Sequence, residues 1–324
     1  NLENIQTLVN DVKILIENAK IKVVCTVENQ RAMHYWEVGE RIFKEVQEGK
    51  ERAEYGKQVI KNLSKEIEPL YGSGYSYRQL YLFLQFYKSF PKVNALRSQL
   101  NWTQYKLLIR IKDEDKREFY IAESIKNYWN SRELERQINS FLYERLLLSS
   151  SKEDILAVAR DERLPQKLSE IIKDPMCLEF LGLEQKSHYY ERDLEQAIIT
   201  NLQSFLLELG NGFSFVSRQQ RIHLDGDDFF IDLVFYNRLL QCHVLFEIKT
   251  HKLTHQDMGQ LQMYVNYYDR IIKLDRENST IGVLLCADKN DSVVKYSLPK
   301  DNKSIVASKY QLYLPSEDEL LELL

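Results

Sequence analysis

Cysteine is scarce in this 324-residue chain: Cys25, Cys177, Cys242 and Cys286 lie far apart and form no CxxC pair or Cys/His cluster. That spacing argues against a structural zinc and against a disulfide framework, so reduced thiols in a cytoplasmic protein are the expectation. No run approaches the roughly eighteen consecutive apolar residues of a membrane span, and no membrane association is expected. The opening NLENIQTLVNDVKILIENAK alternates charged with apolar positions and lacks a signal-peptide pattern. Phosphate loops of the Walker type are absent, so ATP use is not indicated. Glycine (11) and proline (6) are sparse, whereas 20 Tyr and 14 Phe are a generous aromatic supply for an ordinary globular composition.

The length exceeds one average domain, and each half is long enough to bury its own core. Charge is unevenly divided. Residues 1–150 carry 24 Lys+Arg against 20 Asp+Glu, and the remainder carries 20 against 28. Helical apolar stripes run through 8–16, 32–48, 54–69, 76–90, 102–112, 115–129 and 131–147, giving a mainly α domain over 1–148. Ser149-Ser150-Ser151 opens a helical connector over 149–186. From 187 the period changes: a helix over about 191–209, strand-like runs at 213–224, 229–236 and 242–250, a helix at about 256–268, a buried strand at 281–287 and a last strand at 309–315. The turn LDGDD (224–228) marks a hairpin, and the order αβββαβ predicts a mixed-sheet α/β domain over 187–324.

In FFIDLVFY (229–236) every neighbour of Asp232 is apolar, so an ionised carboxylate there needs a partner or a cation. Fifteen residues on, Glu247 and Lys249 stand two apart on one face of the next strand, with Val244, Phe246 and Ile248 on the other. Paired strands would bring the two acids and the base together at one edge of the sheet. Oxygen ligands with few protein contacts suit Mg²⁺, which makes a bound water more acidic and clamps a phosphodiester oxygen. Lys249 would orient the attacking water or neutralise charge at phosphorus. Acidic-x-Lys also occurs at Asp11, Glu48, Glu114, Glu184 and Asp301, none of them in an apolar strand preceded by another acid-bearing strand. A buried ion pair tying two strands together is the alternative.

YWEVGERI (35–42), AEYGKQVIKNLS (53–64), YSYRQLYLFLQFY (75–87), LNWTQY (100–105), DPMCLEFLGL (174–183), SRQQRI (217–222), FFIDLVFYNRLLQC (229–242) and FEIKTHKL (246–253) carry a resemblance to the YhcG-like proteins. Their C-terminal part is of the PD-(D/E)xK nuclease superfamily, and their N-terminal part is a domain of unknown function. The resemblance implies a restriction-endonuclease-like C-terminal domain hydrolysing DNA with Mg²⁺, Mn²⁺ being expected to substitute. It carries the superfamily's acid onto Asp232, here preceded by Ile231 rather than proline, and its (D/E)xK onto Glu247 and Lys249. It matches an acid of the preceding helix to Glu195 as a metal ligand, with Glu191, Asp193 and Glu208 close by. It also matches a Gln-x-x-x-Tyr element bordering the active site to Gln260 and Tyr264, which lie four apart on one helical face. A homodimer, and partner proteins in defence or repair, are further expectations.

Between Glu68 and Asp113 there is no acidic residue, and among the basic ones are Arg78, Lys88, Lys106, Arg110 and Lys112. Tyr71, Tyr75, Tyr77, Tyr81, Tyr87, Trp102 and Tyr105 are interleaved with them. A phosphate backbone attracts such a stretch, and the helix starting near Ser76 could serve like the second helix of a helix-turn-helix. A core of aromatics with solvated cations, or a protein-binding surface, is the alternative. Two function classes follow: a metal-dependent DNA nuclease targeted by its helical half, or a non-catalytic nucleic-acid or protein adaptor on the same scaffold.

Overall fold

A computed structural model describes residues 2–48, 53–92, 99–148, 150–165, 170, 173, 175–183, 189–289, 291–299, 302 and 304–314. The chain divides into two compact units, Asn1–Glu135 and Arg136–Leu324. Residues 149–186, expected as a connector, belong to the second of them, and Met176, Leu178 and Leu181 lie in its core.

The first unit is helical throughout: α1 (Leu2–Glu48), α2 (Ala53–Tyr71), α3 (Tyr77–Ser89), α4 (Trp102–Leu108), α5 (Glu114–Lys126) and the start of α6 (Ser131–Asn139). The stripes at 8–16 and 32–48 merge into the single 47-residue α1. Their fates differ: Val9, Val12, Ile14, Leu15 and Ile16 are exposed, whereas Ala32, Trp36 and Ile42 are core. Helix α3 crosses α1 at Gly39, where an added Cβ would come within 2.1 Å of the Phe83 carbonyl oxygen, so only glycine admits this approach. Tyr35 stacks on Phe83 with centroids 4.2 Å apart, and Trp102 and Tyr105 extend the cluster through Phe86. Asn101 caps α4 reciprocally with Gln104.

The second unit continues through α7 (Leu142–Leu147), α8 (Lys152–Ala159), β1 (Met176–Cys177), α9 (Glu191–Thr200), α10 (Leu202–Leu209), β2 (Phe213–Leu224), β3 (Asp227–Asn237), β4 (Cys242–Lys252), α11 (His255–Tyr267), β5 (Ile281–Asp288), α12 (Asp291–Ser297) and β6 (Ile305–Gln311). The sheet order is β1-β6-β5-β4-β3-β2, with β2, β3 and β4 antiparallel and the rest parallel. The β2–β3 turn follows from Asp225 and Gly226, both at positive φ (47° and 99°). One face buries Leu194, Ile198, Phe205 and Leu209 of α9 and α10 against Val244, Phe246 and Ile248. The other buries Met258, Leu261, Tyr264 and Val265 of α11 against Leu245, Leu284 and Cys286.

Two expectations are corrected. The helix at 191–209 is broken at Asn201 into α9 and α10. The last strand is Ile305–Gln311 rather than 309–315, because buried Ile305 and Ala307 complete the α11-side core while the aromatic run after Lys309 lies at and beyond its end. A buried ionic knot holds this unit together. Glu208 of α10, with no exposure, meets Arg145 of α7 at 2.6 Å and Arg136 at 3.1 Å, lies 3.9 Å from Lys173, and accepts the Cys177 N–H at 3.0 Å.

Helix α11 approaches β5 so closely at Gly282 that a Cβ would meet Leu261 Cγ at 2.8 Å and Val265 Cγ2 at 2.9 Å. Gly282→Ala should therefore cost about 1–3 kcal/mol through overpacking. Urea denaturation measures this, and an unchanged midpoint would show that α11 yields freely.

Candidate active site

Strands β3 and β4 pair in register from Asn237–Cys242 to Leu233–Phe246, and there the ladder stops. Beyond it side chains replace main-chain pairing. The Ile248 N–H donates to Asp232 Oδ2 at 2.8 Å, and the Asp232 N–H donates to Glu247 Oε1 at 3.4 Å. The two carboxylates thus bridge the fork between the strands. This fork lies inside the sheet order, not along its outer edge, which corrects the edge position expected from the sequence. Strand alternation also breaks here: Ile231 and Val234, three apart, pack in the same α11-side cluster.

Glu247 is 1% exposed, and burial, with Asp232 beside it, pushes its carboxyl up to about 8. Burial also raises Asp232, against the opposing pull of the Ile248 N–H and Lys249. Lys249 Nζ lies 3.5 Å from Glu247 Oε2 and 3.5 Å from Glu191 Oε2. Burial works against its charge, but Glu247 and then Glu191 overcome that and hold its pKa above the usual lysine value. Acid, acid and base therefore meet, as their spacing implied.

Glu195, 4% exposed on α9, faces the same cluster, but its oxygens are engaged. Arg218 Nε donates to Oε1, and Gln219 Nε2 donates to Oε2 at 2.8 Å. The same Gln219 amide donates to Asp232 Oδ1 at 2.9 Å. Gln219 sits in β2 between the pairs Arg218–Leu233 and Gln220–Ile231 at φ 48°, a left-handed conformation that non-glycine residues seldom adopt. Arg218 and Gln219 were not singled out from sequence, and Glu191 was named only as an acid close to Glu195. SRQQRI is one of the blocks that carry the family resemblance, but no local signal in it marks the backbone conformation.

Gln260 Nε2 donates to the Tyr264 hydroxyl at 2.7 Å, which donates to the Phe230 carbonyl at 3.2 Å. The pair therefore braces β3 two residues before Asp232 and forms no hydrogen bond to the carboxylates. His251 lies 3.6 Å from Glu191.

Among the described residues no three His, Cys, Asp or Glu side chains are gathered for a metal ion. Even so, the donors present fit a hard divalent cation. Asp232 and Glu247 are both oxygen ligands, and crowding disfavours their joint ionisation until a cation neutralises them.

In the first unit Arg78, Lys88, Arg110 and Lys112 are exposed and Lys106 is half-buried. Of the aromatics among them, Trp102 and Tyr105 are core, whereas Tyr71, Tyr77 and Tyr81 are exposed.

A mixed sheet with helices on both faces and Asp-…-Glu-x-Lys at a strand fork defines a PD-(D/E)xK-type nuclease domain. Residues 169–324 match the YhcG PDDEXK nuclease domain, and residues 11–145 match the DUF1016 N-terminal domain. The protein named "Putative nuclease YhcG" of Escherichia coli (strain K12) is 36% identical over 95% of this chain and 90% of its own length. The chain belongs to the YhcG family. Two solved structures, a repair endonuclease from Pyrococcus abyssi and EndoMS in apo form, overlap 40% of this chain and 50% and 48% of theirs, at 17% and 16% identity. Their TM-scores are 0.26 and 0.27.

Proposed function

We propose that the second unit hydrolyses DNA phosphodiesters with a divalent cation and that the helical unit delivers it to DNA. The observation that carries this reading is the crossed pair of hydrogen bonds by which Asp232 and Glu247 close the strand fork beside the Lys249 ammonium. Asp232 and Glu247 would hold Mg²⁺, or Mn²⁺ in its place; the chemistry such an ion supplies is Lewis acidity and a more acidic water. The Ile248 N–H fixes the Asp232 carboxylate. Lys249 keeps its proton at Nζ, orients the attacking water and offsets charge growing on the phosphoryl oxygens. Gln260 and Tyr264 position β3 rather than touch the reacting atoms.

Cleavage of plasmid, branched and single-stranded DNA with Mg²⁺ or Mn²⁺, each against a chelator control, tests the activity. Tight DNA binding with no cleavage of any of them would leave the adaptor reading in its place.

Delivery by the first unit rests on exposed Arg78, Lys88, Arg110 and Lys112 and half-buried Lys106, for none of which an ion pair is seen among the described residues. Charge reversal at Arg78, Lys106 and Arg110 together should weaken DNA binding. The log–log salt slope should fall by about one for each phosphate no longer neutralised. Unchanged affinity and slope, with helicity intact, would assign this surface to a protein partner.

A further inference from the structure

The third carboxylate is present but withheld. Both oxygens of Glu195 are engaged, one by Arg218 and one by Gln219, and the Gln219 amide gives its second hydrogen to Asp232. Gln219 thus links Glu195 to Asp232, its amide hydrogen-bonded to both carboxylates. Its backbone is held at φ 48°, a conformation retained only where the surroundings impose it. Arg218 is reachable: its side chain is 31% exposed, against 5% for Glu195, and a second hydrogen bond at 2.8 Å ties it to Gln196 at the surface.

We propose that Arg218 and Gln219 form a latch that keeps Glu195 out of the cation site, and that a DNA phosphate opens it by taking Arg218. The proposal rests on the nuclease reading above and adds an order of assembly to it. In the resting protein only Asp232 and Glu247 are available to the cation. An arriving phosphate competes for the guanidinium, which matches a phosphate in fork geometry as well as it does a carboxylate. Glu195 then loses its cationic partner and turns to the metal, with the Gln219 amide following one carboxylate or the other. Cation and DNA affinities are thereby coupled, each raising the other by the same factor. Arg218 and Gln219 are positioning residues: they act through Glu195.

A double-mutant cycle read by calorimetry with Mn²⁺ alone tests the latch. In the wild-type chain, Glu195→Gln should change Mn²⁺ affinity less than about twofold, since Glu195 is not a ligand there. Arg218→Met should raise the affinity about tenfold or more, and adding Glu195→Gln to it should abolish the gain. Gln219→Gly, which keeps the left-handed backbone accessible, should also make the affinity sensitive to Glu195→Gln. A short duplex, added in a Lys249→Met background expected to cleave it slowly, should raise Mn²⁺ affinity only while Arg218 is present. Loss of Mn²⁺ affinity in Glu195→Gln alone, or no gain in Arg218→Met, overturns the latch. If wild-type cleavage and Asp232-dependent Mn²⁺ binding survive that result, the nuclease reading stands without it. If neither is found, both fall.

Discussion

Lys249→Ala is expected to bind Mg²⁺ or Mn²⁺ almost as tightly as the wild-type chain while cleaving DNA at least about a hundredfold more slowly. The division of labour lies in the strand itself. Asp232 and Glu247 supply oxygen donors, whereas an ammonium that stays protonated cannot ligate, and Glu247 and Glu191 hold Lys249 in that form. Asp232→Asn should separate the roles from the other side. Its amide oxygen still accepts the Ile248 N–H, so the fork persists, but the charge that draws a cation is gone. Metal affinity and cleavage should fall together, cleavage by about a thousandfold. Calorimetry, paired with plasmid cleavage across a range of metal concentrations, measures both. Full-rate cleavage by Lys249→Ala would require a different group at the water. Wild-type metal affinity in Asp232→Asn would move the ion elsewhere.

A second large effect is expected far from the chemistry. Glu208→Gln should lower stability by about 3–5 kcal/mol, because it breaks the fully buried 2.6 Å ion pair with Arg145. Burial alone would raise the Glu208 carboxyl; Arg145 foremost, with Lys173 and Arg136, overcomes this and lowers it to about 2. A carboxyl depressed in the folded state contributes stability that is fully present above its ordinary value near 4.5 and lost as pH falls toward 2. The shift corresponds to about 3 kcal/mol. Urea midpoints between pH 6 and pH 2 should therefore fall steeply for the wild type and less for Glu208→Gln. Equal slopes would mean that the knot contributes nothing to acid stability. Arg145→Met combined with Glu208→Leu should recover only part of the loss, since Arg136 and Lys173 also lean on this carboxylate.

How legible these features were in the sequence depends on how local their cause is. Asp232 stood out because strand neighbours on both sides of it are apolar. Glu247 and Lys249 stood out because a two-residue period puts them together. Strands β3, β4 and β5 follow from short apolar runs bounded by polar turns, and the helical first half follows from its stripes. The latch residues were hidden because what makes them special is a backbone torsion in Gln219 and the approach of α9, both set by tertiary packing. Arg145 and Glu208 were hidden for a related reason: each sits in an amphipathic run where charge reads as solvent-facing, and only α7 meeting α10 makes it internal. No proline or glycine separates the stripes at 8–16 and 32–48, so their merging into α1 was open to the sequence.

The two-residue strand β1 adds a consequence for anyone dividing the chain. Met176 and Cys177 cover the free side of β6, and the Cys177 N–H is held by Glu208. A fragment beginning at 187, where the strand pattern starts, would strip that cover and leave a row of unmatched amides along β6, a template on which copies could associate. Starting at 169 restores the cover but not Arg145 or Arg136, so Glu208 would remain buried without its two guanidinium partners. The shortest piece that keeps both begins before Arg136, so a fragment with the ionic knot intact reaches back well beyond residue 169, where the nuclease-family match starts.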